Sequence, residues 1–203
     1  GGMLAVKGDL RMVELEVENL PGVSIANLNS NEQVVLAGPT ADIENAYAIL
    51  KEKGYASTVL PVSAAFHTSL VEHASAPFAD AVASTTFHAP QIPVYANTTG
   101  EPYPPDTEAA KAMLANHMLN PVLFKRQVEN IYAAGGRVFV EIGPRSILTH
   151  LVGSILADKP HIAVALNASR RRDSDRQFRD AVVQLRVVGL PLEDIDPYQA
   201  AAL

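Results

Sequence analysis

The chain has 203 residues, a formal net charge of −6 and no cysteine. That length can bury one large domain or a small one joined to a larger, and its acidity argues against a general nucleic-acid or membrane-surface binder. Without thiols there is no disulfide, no thiolate chemistry and no cysteine-based metal site, which fits a reducing cytosol; no apolar run approaches the roughly 20 residues that cross a bilayer.

The first sixty residues alternate strongly. The start, Gly1-Gly2-Met3, has no basic region of a signal peptide and suggests a module cut from something longer. Met3–Val6 is a short apolar strand. Asp9–Leu20 carries Leu10, Val13, Val17 and Leu20 at helical spacing, with Asp9 as an N-cap and Pro21-Gly22 as the stop. Val23–Asn27 and Gln33–Ala37 are predicted strands joined by the polar turn Leu28–Glu32. Thr40–Lys53 is a second helix, capped by Thr40, with Ile43, Tyr47 and Leu50 facing inward and Gly54 closing it. Tyr55–Val62 is a fourth strand. The order β-α-β-β-α-β is that of a ferredoxin-like unit.

From Ser63 the pattern changes. His67–Ser84 is predicted helical, Ile92–Ala96 a short strand and Thr98–Thr107 a proline-rich loop. Glu108–Leu119 and Val122–Ala134 are helices, Arg137–Ile142 a buried strand, Ser146–Leu156 a helix, Ile162–Leu166 a strand and Asp175–Val188 a last helix. Strands alternating with helices argue for an α/β layer. Three strands make a thin sheet for so many helices, so further strands are expected from sequence outside these residues.

Chemistry concentrates at Val62–Ser69, Val-Ser-Ala-Ala-Phe-His-Thr-Ser, where a strand gives way to a helix. An imidazole titrates near neutrality and can take a proton from a hydroxyl and return it. His67 has the small Ala64-Ala65 beside it, although a lone histidine is more often structural. Such a base needs its other ring nitrogen held, by a carboxylate or by a backbone carbonyl. Asn27-Leu28-Asn29-Ser30-Asn31 reads as a turn for Leu28–Asn31, with Asn27 at the strand end facing a cleft. Gly143-Pro144 places a tight turn at the carboxyl end of a strand, where α/β proteins build sites, or simply connects a strand to a helix. The histidines at 67, 73, 88, 117, 150 and 161 include no i,i+4 pair, so no metal site is expected. No glycine-rich phosphate loop is present. Arg170-Arg171-Arg172, followed by Asp173 and Asp175, reads as a solvated loop before a helix capped by Asp173 or Ser174.

Seven segments in order, Gly2–Val6, Ile25–Asn29, Gln33–Gly38, Val62–Ser69, Ile92–Asn97, Asn120–Phe124 and Phe139–Leu148, carry a resemblance. Together they resemble the carboxyl-terminal two-thirds of an acyltransferase domain of the malonyl-CoA:acyl-carrier-protein transacylase family of polyketide and fatty-acid synthases. The tail Ala165–Leu192 is closer to iterative enediyne or polyunsaturated-fatty-acid synthases. The resemblance implies an α/β fold in which residues 1–62 are a ferredoxin-like small subdomain and 63–203 the carboxyl-terminal part of an α/β-hydrolase-like large subdomain.

The resemblance also implies a ping-pong reaction. A serine attacks the thioester of malonyl-CoA with a histidine as base, and the acyl group passes to the phosphopantetheine thiol of an acyl carrier protein. No tightly bound cofactor is implied; the partners are malonyl-CoA, the carrier protein and neighbouring synthase domains. His67 falls on the catalytic histidine, and Leu123 on the position whose backbone carbonyl orients that ring. Asn27, Ala65 and Phe66 fall on the substrate cleft. A phenylalanine before the histidine goes with malonyl rather than methylmalonyl units in relatives; Ala64 departs from the histidine often seen first in that pattern. No two glycines lie four apart, so a Gly-x-Ser-x-Gly elbow is absent from these residues, and the nucleophile is expected on an upstream segment. Ser63 and Ser69 flank His67 without elbow glycines. The alternatives are a non-catalytic module that docks carrier protein or synthase domains, and an unrelated hydrolase using another serine.

Overall fold

The computed structural model describes residues 1–192; residues 193–203, the end of the predicted large subdomain, lie outside the described residues. Two compact units, Gly1–Gly135 and Gly136–Leu203, make up the chain.

The first unit opens with β1 (Gly2–Lys7), α1 (Leu10–Val17), β2 (Ser24–Leu28), β3 (Gln33–Gly38), α2 (Thr40–Glu52) and β4 (Ala56–Val59). The four strands form one sheet in the order β2-β3-β1-β4, every pair antiparallel. This is the ferredoxin-like arrangement expected from the element order. Strand alternation explains its core. Leu4, Val6, Val34 and Leu36 point to one face and pack with Val13, Ile43, Ala46 and Leu50 of the helices. Met3, Val35 and Ala37 point to the other and pack with Ala26 and Ala65. Asp9 caps α1 by accepting from the Met12 N–H at 3.2 Å.

Several boundaries move for identifiable reasons. Thr40 is not the cap of α2: Pro39 holds that position, and its carbonyl accepts from the Ile43 N–H at 3.0 Å. The expected helix over His67–Ser84 breaks into a 3-10 turn, Ser69–Ala74, and α3 (Ser75–Ser84), with Val71 off helical geometry. Pro77 in the first turn of α3 has no N–H to give to the preceding turn, so the α-helix cannot run further back. Ile92–Ala96 is not a strand; Tyr95 makes one isolated bridge to Pro102. Pro93 interrupts the ladder donors that a strand there would need.

The unit continues through α4 (Thr107–Ala115), a 3-10 turn Asn116–Leu119 and α5 (Phe124–Ala133). Pro121 forces Asn120 into extended geometry, φ −116° and ψ 149°, which ends the 3-10 turn. The extended segment then runs beside β2, with Val122 N–H donating to the Ala26 carbonyl and Leu28 N–H to the Val122 carbonyl, both at 2.8 Å.

The second unit holds β5 (Val138–Pro144), α6 (Ile147–Ile155), β6 (Ile162–Asn167) and α7 (Ser174–Val187). The two strands pair in parallel, Val138 opposite Ile162. Val164 packs with Ala181 and Leu185 of α7. Asp173 caps α7 through the Arg176 N–H at 2.9 Å, as the reading of the arginine loop required. Buried Gln177 closes that loop by donating to the carbonyls of Ser169 and Arg172.

Candidate active site

The Ala65–Thr68 turn carries the central side chain. His67 has φ 63°, in the left-handed region that non-glycine residues seldom occupy, although histidine does so more readily than most. Holding it there costs about 1 kcal/mol or more, so the surroundings must fix it. They do so from both sides of the turn. Ala65 is buried against Met3, Ala26, Val35 and Ala37. Thr68, also buried, donates through its hydroxyl to the Ala65 carbonyl at 2.7 Å and accepts from the Leu70 N–H at 3.2 Å. Phe66, between these anchors, is 43% exposed.

The His67 ring is held by the main chain. Its Nδ1 lies 3.2 Å from the His117 carbonyl oxygen. A carbonyl can only accept, so Nδ1 is the donor, and in the neutral ring Nε2 then presents the lone pair, the tautomer that a general base needs. The residue that supplies the carbonyl corrects the expectation for Leu123. The Leu123 carbonyl is committed to the first turn of α5, accepting the Gln127 N–H at 3.0 Å, and the Leu123 N–H donates to the Asn97 carbonyl at 2.7 Å. Leu123 therefore closes the junction between the extended segment and α5, and His117, six residues earlier, holds the ring. The His117 carbonyl is available because Pro121 ends the 3-10 turn, leaving only a long 3.4 Å bond from the Asn120 N–H.

The ring of His117 itself stands against His67, centroids 5.0 Å apart and planes at 72°. Its Nδ1 is 3.5 Å from the Thr98 hydroxyl. Burial, and then the neighbouring His67 charge, pull His117 below the ordinary histidine range.

Asn27 lies on β2 at a register irregularity after Ile25, and bridges to Val122 of the extended segment. Ala26 beside it packs with Ala65. So β2, the His67 turn, the Thr98 loop and Asn116–Leu123 converge, bringing together the five predicted positions and adding His117. Sequence reading weighed His117 only as a metal ligand. The signal available was its place on the last turn before Asn120-Pro121, where a carbonyl loses its helical partner.

The loop bearing Thr98 is pinned to α5. Gln127 donates to the Tyr95 carbonyl and Asn130 to the Gly100 carbonyl, each at 2.8 Å, while Arg126 pairs with Glu101 at 3.2 Å. Gly100 has φ 71°, and a Cβ there would sit 2.8 Å from Arg126 Cγ, so only glycine fits.

In the second unit, Gly143-Pro144 leads to Arg145, φ 74°, whose N–H donates to the Asn167 carbonyl at 2.7 Å. Glu141 of β5 caps α6 from across this turn. It accepts from the N–H groups of Leu148 (3.2 Å) and Thr149 (2.8 Å) and from the Thr149 hydroxyl (2.7 Å). Burial opposes ionisation of the Glu141 carboxyl, but these hydrogen bonds outweigh it and hold it below the usual carboxylate range.

Residues 1–190 match the acyl transferase domain family. The chain is 40% identical over 204 residues, 98% of its length, to one component of the polyunsaturated fatty acid synthase of Thraustochytrium sp., of which it spans 7%. Among solved structures it is similar to the acyltransferase domain from the second module of the salinomycin polyketide synthase, with TM-score 0.80, 30% identity and coverage of 91% of this chain and 43% of that one. It is also similar to a malonyl-transacylase in complex with its type II polyketide acyl carrier protein, with TM-score 0.78, 28% identity and coverage of 90% and 58%. In each of these cases the chain spans well under two-thirds of the relative.

Proposed function

The chain belongs to the acyl transferase domain family, and on that premise we propose that it is the histidine-bearing portion of a malonyl-specific acyltransferase in a polyketide or fatty-acid synthase. In this reading residues 1–62 are the small subdomain and 63–203 part of the large one. The nucleophilic serine lies on an upstream segment. His67 Nε2 takes the proton of that serine as its oxygen attacks the thioester carbonyl of malonyl-CoA. The proton then goes to the departing CoA thiolate, leaving malonyl on the serine. In the second half, His67 takes the proton of a phosphopantetheine thiol, the sulfur attacks the acyl-serine, and the proton returns to the serine oxygen.

The observation that carries this reading is the hydrogen bond from His67 Nδ1 to the His117 carbonyl, which leaves Nε2 as a base. The complex of a relative with its carrier protein supports the acceptor. The upstream segment has support of its own. Among the described residues β5 pairs only with β6, and Val140 and Ile142 on β5 are 38% and 84% exposed. A parallel strand is ordinarily covered on both faces. Asn27, Ala65 and Phe66 line the malonyl cleft, with Phe66 in the space an α-methyl branch would fill.

The test is His67→Ala in the chain joined to its upstream segment, followed by malonyl transfer to carrier protein. The expected loss is about 10²- to 10⁴-fold, the usual contribution of a positioned base. Unchanged transfer would favour a docking module instead.

A further inference from the structure

We propose that the ring of His117, beyond its carbonyl, is a positioning partner of His67, the two imidazoles being close enough that the charge on one depends on the other. This rests on the reading of His67 as the base. The carbonyl of His117 fixes one nitrogen of His67, yet any residue at 117 would offer a carbonyl. What a histidine adds is a second imidazole, with its centroid 5.0 Å from the first at a 72° interplanar angle. The contact closes a chain from the Thr98 hydroxyl through the His117 ring to the His67 ring.

Two imidazolium charges at that separation, partly shielded from water, repel one another, so addition of the first proton disfavours the second. The asymmetry between the rings is built into the fold. His117 lies on the 3-10 turn that packs against the Ser69–Ala74 turn, α3 and α4. The titratable residues on those elements are Glu72, His73, Asp80, Glu108 and Lys111. His117 responds first to its own burial and then to His67. Glu101, in the loop that carries Thr98, is engaged by Arg126 and Asn130. Burial thus favours the neutral form of His117 beside a cationic His67. That form restricts the ring without opposing its charge.

The experiment is a pH titration of the imidazole nitrogens of the whole chain by NMR, in the wild type, His67→Gln and His117→Gln. The wild type is expected to show His67 as the Nδ1–H tautomer, with a second inflection in its titration curve where His117 titrates. In His67→Gln the His117 midpoint is expected to rise. In His117→Gln, which keeps the carbonyl, the second inflection of His67 should vanish while its tautomer persists. If one variant does not fold, as judged by its amide spectrum, the other reports the same coupling from the opposite ring. A His117 midpoint unmoved in folded His67→Gln, or a His67 curve unaltered in folded His117→Gln, would overturn the proposal. An Nε2–H tautomer of His67 with the coupling intact would instead overturn the assignment of the base, and the positioning role with it.

Discussion

At the scale of single residues, the site turns on which atoms are committed and which are free. His67 was legible because its segment follows a strand and has small neighbours. Its left-handed backbone was not, since nothing in the local sequence demands φ 63°. The anchors are tertiary: Ala65 on the sheet and Thr68 across the turn. The proposed cleft role of Phe66 gives a direct test. In the chain joined to its upstream segment, Phe66→Ser should raise use of methylmalonyl-CoA relative to malonyl-CoA by about tenfold, a methyl group being worth roughly 1–3 kcal/mol of discrimination. A competition assay with both thioesters measures the ratio. His117 gives another prediction. Its lowered folded value means that the unfolded chain binds more protons between that value and the ordinary histidine range. Stability from this group is present at neutral pH and lost as pH falls through the ordinary histidine range towards the folded value. Melting curves at pH 7 and pH 5.5 should therefore diverge less for His117→Gln than for the wild type. The carbonyl that faces the His67 ring is that of His117, not the expected Leu123. Sequence could align the Asn-Pro-Val segment but could not show that the Leu123 carbonyl opens α5 by accepting the Gln127 N–H.

At the scale of elements, periodicity gave the ferredoxin-like sheet with little displacement, because the central strands β1 and β3 alternate between a helix-covered face and the face that packs on Ala26 and Ala65. Leu4 sits fully buried at the centre of that arrangement. Leu4→Ala should destabilise the first unit by about 2–5 kcal/mol in denaturant melts. Where periodicity failed, proline was the cause. Pro77 split the helix after His67, and Pro93 kept Ile92–Ala96 from forming a ladder. Capping carries the second unit. Glu141 leaves the strand pattern to bind three donors at the start of α6. Glu141→Gln should cost about 0.5–2 kcal/mol, the usual worth of a cap, read from urea unfolding at pH 7. Because the Glu141 carboxyl is held below its ordinary range, its contribution is complete above that range. It should disappear as pH falls through the folded value, so the gap between variant and wild type narrows in acid.

At the scale of the molecule, the ferredoxin-like sheet stands as a complete four-stranded unit, whereas β5 and β6 form a two-stranded sheet with Ile142 exposed. The thinness of that second sheet was evident in the sequence as too few strands for too many helices. On the proposed reading, one reaction is divided between this chain, which holds the base, and an upstream segment, which holds the nucleophile. The most direct measurement is intact-mass and peptide mapping after brief exposure to malonyl-CoA, made on this chain alone and on the chain with its upstream segment. The expected result is one malonyl adduct, on an upstream serine, sharply reduced by His67→Ala, with no adduct on residues 1–203. An adduct on Ser63, Ser69 or any other serine of this chain, or hydrolysis of malonyl-CoA by this chain alone, would contradict it.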